Sequence, residues 1–232
     1  MATSGLRPKL VLFDLDDTLC DHQASLRLRL RIAFEAACRG LPGIDLDALV
    51  EASVQRAVFG TDHFAEVLAL AGVRDQARVE QAVASYVSDR YRGLRLFDEA
   101  LEVVEAVRQY ARVGLITNGP SEIQRSKIAR LQIAHIFPFI LVSEEVGVWK
   151  PDPAIFHRAL ALGEAAPHEA VYVGDNPEHD VAGAQRAGLI SVWVNRTGRD
   201  WPGGPPPDYV VGNLRELLPL FGFGPVAGHG PG

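Results

Sequence analysis

Five short runs of Val, Ile and Leu, none alternating cleanly with polar residues, constrain this chain more than any other feature. They occupy residues 10–13, 113–116, 139–142, 170–173 and 190–194, with a weaker sixth at 209–211. Each is too short for a helix, and a run apolar throughout must be covered on both faces. That is the condition of strands in a parallel sheet with helices on either side. The intervening segments supply such helices. Ser121 and Gln124 have capping-box spacing, with Ile128 and Leu131 following at helical intervals. Asp152 before Pro153 reads as a helix cap and first turn, with Ile155, Phe156, Ala159 and Leu160 on one face. Pro177 opens a helix carrying Val181, Ala184 and Ala187, which stops at Gly188. Alternating strands and helices predict an α/β fold with a doubly wound parallel sheet.

Residues 20–93 carry no strand signal. Four helical patterns follow one another: Leu26, Leu30, Ala33, Phe34, Ala37; then Leu46, Leu49, Val50, Val54, Ala57, Val58; then Phe64, Val67, Leu68, Ala71; then Val79, Val83, Tyr86, Val87. Glycines at 40, 43, 60 and 72 punctuate them. The reading is an α-helical bundle inserted after the first strand, with residues 1–19 and 94–220 forming the sheet domain and two crossings making a hinge. The Gly/Pro-rich end, 221–232, is expected to be a disordered tail.

The formal net charge of −6, with no Lys/Arg block, argues against a nucleic acid polymer as partner. No stretch approaches the ~20 apolar residues of a membrane span, so no membrane is expected. Two cysteines, Cys20 and Cys38, make no disulfide framework and suit a reducing cytoplasm.

In an open parallel sheet, ligands bind beyond the carboxyl ends of the strands. The residues following the apolar runs are Asp14-Leu15-Asp16-Asp17-Thr18, then Thr117-Asn118-Gly119, then Lys150-Pro151 seven residues past Ser143, then Gly174-Asp175-Asn176 with Asp180 five residues on. Four separate segments thus deliver carboxylates, a hydroxyl and an ammonium to one edge. Asp14, Asp16, Asp175 and Asp180 in one crevice would raise one another's pKa unless a cation joined them. Hard oxygen donors with few His or Cys nearby favour Mg²⁺ over zinc. Thr117, the N–H groups of Asn118 and Gly119, and the helix start at Ser121 form an expected anion cradle, to which Lys150 adds a point charge. A metal cage beside an anion cradle suggests phosphoryl transfer.

These four stretches, in this order, resemble the motifs of the haloacid dehalogenase-like superfamily, and the insertion resembles its helical cap. The likeness covers residues ~10–195, implies the family's Rossmann-like core, and implies roles residue by residue. Asp14 would attack phosphorus and carry an aspartyl-phosphate. Asp16 would protonate the leaving alcohol and then activate water. Thr117 would hold a phosphoryl oxygen, with Asn118 assisting and Lys150 neutralising charge. Mg²⁺ would sit on the Asp14 carboxylate, the Asp16 carbonyl and Asp175, with Asp180 ligating it or ordering its waters. Thr18 would buttress the loop, and a closing cap would exclude water. The implied activity is phosphomonoester hydrolysis of a small phosphorylated metabolite, such as phosphoglycolate, a sugar phosphate or a nucleoside monophosphate.

Blander readings stand beside these. Asp17 reads as a loop residue, His179 as no part of a zinc cage, Cys20 as no thiol nucleophile, and Lys127 as a solvated helix lysine. His22, at the junction with the insertion, is a candidate for substrate contact. Lys150 stands out because the chain has 20 Arg and only three Lys. The rival activities are a phosphomutase, a haloacid dehalogenase and a catalytically silent binding module. Dehalogenases of the superfamily lack an acid two residues past the nucleophile, where this chain has Asp16.

Overall fold

The computed structural model describes residues 5–56 and 60–223. In chain order the elements are β1 (Leu10–Phe13), α1 (His22–Ala37), α2 (Leu46–Arg56), α3 (Phe64–Leu70), α4 (Gln76–Ser88), α5 (Ala100–Arg108), β2 (Arg112–Thr117), α6 (Ser121–Arg130), β3 (Ile140–Val142), α7 (Ser143–Val146), α8 (Pro153–Gly163), β4 (Ala170–Gly174), α9 (Gly183–Arg186), β5 (Ile190–Val194), β6 (Tyr209–Val211) and α10 (Leu217–Leu220). A π-helical stretch, Pro177–Ala182, leads into α9.

The six strands form one parallel sheet in the order β3-β2-β1-β4-β5-β6. β1 is central and wholly buried, as its unbroken LVLF run requires. It pairs with β2 on one side and β4 on the other, so chain order reverses between β1 and β4. Leu10, Leu12 and Tyr172 pack against Ile155, Phe156 and Ala159 of α8 in one continuous apolar layer. Gly163 of α8 lies so close to this layer that a Cβ there would meet the Leu10 side chain at 2.4 Å.

The chain divides into two compact units, residues His22–Arg95 and the remainder of the chain. The first is a bundle of α1 to α4 with its own core, including Leu30, Phe34, Leu49, Phe64, Val67 and Leu68. Ala57 and Val58 of the expected second pattern lie outside the described residues. Two other details of the helical patterns differ from expectation. Val87 is exposed at the end of α4, where Ala82 is the buried residue. Ser121 and Gln124 form no capping box, because α6 starts one residue earlier than that reading requires, with Pro120 in the cap position. Asp152 does cap α8, accepting from the Ala154 N–H with Pro153 in the first turn. The expected tail lies outside the described residues, apart from 221–223. Among the described residues, no helix is long and apolar enough to cross a membrane.

Candidate active site

Asp14 is the first residue past the central strand. Its N–H bonds to the Val173 carbonyl of β4 at 2.9 Å, which fixes it where the strand order reverses. Its Oδ1 accepts from Lys150 Nζ at 2.6 Å and its Oδ2 from Thr18 Oγ1 at 3.1 Å. Lys150 is 3% exposed at its side chain, and its three hydrogens have three acceptors: Asp14 Oδ1, Asp180 Oδ1 at 2.7 Å and the Tyr172 hydroxyl at 2.9 Å. Burial works against the ammonium, but Asp14 and Asp180 outweigh it and hold the Lys150 pKa well above its ordinary value.

Asp180 stands on the π-helical stretch and is 1% exposed. Its Oδ2 accepts from the Asn176 N–H at 2.9 Å, and its Oδ1 lies 3.2 Å from the Tyr172 hydroxyl as well as beside Lys150. Only glycine fits at 174, since a Cβ there would lie 2.4 Å from the Asp180 carboxylate. Asp175, on the same turn, is held through its main-chain carbonyl, which accepts from Trp193 Nε1 at 2.8 Å and Arg199 Nη2 at 2.7 Å.

Asp14, Asp175 and Asp180 each offer a carboxylate oxygen, and these lie within 4.8 Å of one another. Burial, only partly offset by Lys150, lifts the Asp14 pKa from 3.8 to about 7. Burial, then Asp180 and Asp14, push Asp175 up to about 9. One ammonium is therefore too little charge for three carboxylates, and an all-oxygen, all-anionic donor set of this size fits Mg²⁺. The Asp16 carboxylate is not in that group.

Asp16 is instead paired with Lys127 of α6, whose Nζ lies 2.8 and 2.7 Å from its two oxygens. Lys127 is therefore not solvated as its mid-helix position suggested; its side chain is 8% exposed. Gln124, one turn earlier, donates to Asp16 Oδ2 at 3.0 Å and to the Asn118 carbonyl at 2.5 Å. Gly119 makes this possible, with a φ of +146° and a position where a Cβ would meet Gln124 at 2.9 Å.

The expected anion cradle is partly occupied by protein. Thr117 ends β2 and is buried. Asn118 turns its side chain to the Lys150 backbone, accepting from its N–H at 2.9 Å and donating to its carbonyl at 2.8 Å. It thus clamps Lys150 in place, and its amide oxygen is not aimed at an anion. The Gly119 N–H goes to Ser143 Oγ at 2.9 Å, and the Ser121 N–H to the Glu144 carboxylate at 2.7 Å. Two of the cradle's N–H groups are thereby taken, one of them by an acidic side chain.

The remaining candidates read as follows. Asp17 adopts φ 60° and donates its N–H to the Cys20 carbonyl, a turn role. Burial, then Asp16, push the Cys20 thiol up, so it is no thiolate. His179 is exposed. Tyr172 was not singled out from sequence, and Gln124 and Lys127 were read there as a helix cap and a solvated lysine rather than as partners of Asp16. Tyr172 carries a signal of its own, since a hydroxyl in a strand buried on both faces must find a partner. Lys127 and Gln124 share the i, i+3 spacing of one helix face, but nothing local says what that face meets.

Carboxylates and a lysine gathered at the switch point of a parallel sheet define a Rossmann-like α/β protein with an acidic site at its strand ends. The chain belongs to the haloacid dehalogenase-like hydrolases, whose family profile matches residues 8–188. It is 42% identical over 155 residues to a phosphoserine phosphatase of Thermus thermophilus, covering 67% of this chain and 62% of that protein. It is 32% identical over 225 residues to a glyceraldehyde 3-phosphate phosphatase of Methanopyrus kandleri, covering 90% of this chain and 95% of that one. Among solved structures, the magnesium-bound HAD-hydrolase YfnB from Bacillus subtilis superposes with a TM-score of 0.72 at 25% identity, over 93% of this chain and 99% of that one.

Proposed function

We propose that this chain is a magnesium-dependent phosphomonoesterase that hydrolyses a small phosphorylated metabolite through an aspartyl-phosphate on Asp14. The observation that carries the reading is the separation of the two acidic side chains after β1. Asp14 lies in the carboxylate cluster with Lys150, while Asp16, two residues on, has its own cation. The reading gives the attack to Asp14 and the proton transfer to Asp16. In the first half-reaction an Asp14 oxygen attacks phosphorus, the ester P–O bond breaks, and Asp16 supplies the proton to the departing alcohol. In the second, water attacks the same phosphorus, the P–O bond to Asp14 breaks, and Asp16 takes the water's proton. Lys150 balances charge on Asp14 throughout, Thr117 bonds a phosphoryl oxygen, and Asn118 keeps Lys150 aimed. A magnesium ion would be held by Asp14, Asp175 and Asp180 with the Asp16 carbonyl, and would supply positive charge against the phosphoryl oxygens.

The names of the relatives support a small monoester, with phosphoglycolate, sugar phosphates and nucleoside monophosphates as the classes to try. The two cysteines are buried and unbridged, which supports a cytoplasmic setting. The test is phosphate release from a panel of such monoesters, with Mg²⁺ and with EDTA. Mg²⁺-dependent release that Asp14→Asn abolishes supports the reading. No turnover at any metal concentration overturns it in favour of a silent binding module. Metal-independent chloride release from a 2-chloro acid would indicate a dehalogenase, and isomerisation of a bis-phosphorylated sugar without net phosphate would indicate a mutase.

A further inference from the structure

Two of the chain's three lysines are buried against the loop that follows β1, and they divide its acids between them. Lys150 takes Asp14, with Asp180, and Lys127 takes Asp16. The second arrangement has no part in the roles assigned above. Both Asp16 oxygens face Lys127 Nζ, at 2.8 and 2.7 Å, and Gln124 adds a third hydrogen bond at 3.0 Å. The Cys20 Sγ lies a further 3.7 Å from Oδ1. Gln124 spends its amide hydrogens on Asp16 and the Asn118 carbonyl while its own Oε1, buried, has no hydrogen-bond partner. An orphaned buried acceptor is unfavourable, so the amide is held this way for what its donors reach. A carboxylate met by donors on both oxygens is arranged as an acceptor.

We propose that Lys127 is a positioning residue for Asp16 in the hydrolytic half-reaction, fixing its carboxylate as the acceptor of the attacking water's proton. The inference rests on the phosphatase reading above. In that step the water oxygen bonds to phosphorus, the P–O bond to Asp14 breaks with its electron pair returning to Asp14, the water proton passes to Asp16, and inorganic phosphate leaves. Without the ammonium, Asp16 loses the one donor that meets both its oxygens, and Gln124 reaches Oδ2 alone. The cost falls on this step and not on the first one whenever the leaving group needs no acid.

The test uses p-nitrophenyl phosphate, whose leaving group departs unaided. For Lys127→Met in the full chain, kcat should fall by roughly 100-fold, the order of a general-base contribution. Since kcat/KM reports the first half-reaction, it should stay within about threefold of wild type, so KM falls with kcat. A burst of one p-nitrophenol per protein should precede the slow phase, and phosphorylated protein should accumulate. Lys127→Arg, which keeps the charge, should recover most of kcat. Should the methionine variant not fold, Lys127→Gln gives the same readouts. An unchanged kcat, or equal losses in kcat and kcat/KM without a burst, overturns the inference while leaving a working wild-type phosphatase. A wild type that hydrolyses no monoester overturns the phosphatase reading itself, and this inference with it.

Discussion

Replacing Lys150 by methionine isolates the largest electrostatic element of the site. The substitution keeps the aliphatic volume and removes a charge whose side chain is 3% exposed and which contacts Asp14, Asp180 and the Tyr172 hydroxyl at 2.6, 2.7 and 2.9 Å. Removing one partner of a buried ion pair typically costs about 3–5 kcal/mol, because the other is left charged and unpaired. Here two carboxylates lose the same partner, so the upper half of that range, about 4–5 kcal/mol, applies to protein held in EDTA. For a chain of this size each kcal/mol moves Tm by roughly 2–4 °C, which places the expected fall at roughly 8–20 °C. The deficit should also depend on pH. Lys150 opposes the burial that raises Asp14, so its loss lifts Asp14 further, and protonation at lower pH relieves the variant. Thermal melts followed by circular dichroism from pH 4 to 9 measure both effects. A Tm within about 3 °C of wild type at pH 8 would show that these contacts carry little charge energy, and would refute the reasoning.

Three further outcomes follow from the same geometry. Asp14 and Asp175 have folded pKa values near 7 and 9, raised from 3.8, so the metal-free protein binds more protons folded than unfolded. Its stability should be full below about pH 4 and decline as pH rises through 7 and 9, with millimolar Mg²⁺ restoring it at the alkaline end; a flat EDTA profile would count against the cluster. Asp175→Ala should raise the Mg²⁺ concentration needed for half-maximal phosphate release at least tenfold, and an unchanged titration would remove it as a ligand. Arg196 bonds Glu99 at 2.7 Å and the Thr18 carbonyl at 3.0 Å and lies over Phe97, tying the β1 loop to the end of β5. Arg196→Ala strands the buried Glu99 and should cost about 3 kcal/mol by urea titration, most of it recovered on adding Glu99→Gln.

What could be read from the sequence follows from what each signal depends on. The strands were legible because parallel strands buried on both faces must be apolar throughout. The residues just past them then had to converge, whatever the strand order. Asp14 and Asp175 reach the carboxylate cluster by that rule alone, whereas Lys150 arrives from seven residues past Ser143. Lys127 does not follow the rule, since its partner Asp16 is 111 residues away and depends on how α6 rotates against the β1 loop. The cradle was legible as backbone but not as chemistry, because Ser143 and Glu144 arrive from beyond β3 to bond its N–H groups. Helix α5 shows the opposite case. Ala100, Val103, Val104 and Val107 have the i, i+3, i+4, i+7 spacing of a buried face, a signal as strong as those read elsewhere. The capping-box spacing at Ser121 had a competing use, since Gln124 reaches for Asp16 and Asn118 instead.

The central claim is that Asp14 carries the phosphoryl group during turnover, and trapping that species tests it most directly. Protein quenched in acid during steady-state hydrolysis, digested and sequenced by mass spectrometry, should show a single acyl-phosphate on the peptide containing Asp14, absent from Asp14→Asn. A phosphoryl group on any other residue, or turnover that persists in Asp14→Asn with no phosphorylated protein, would contradict the account.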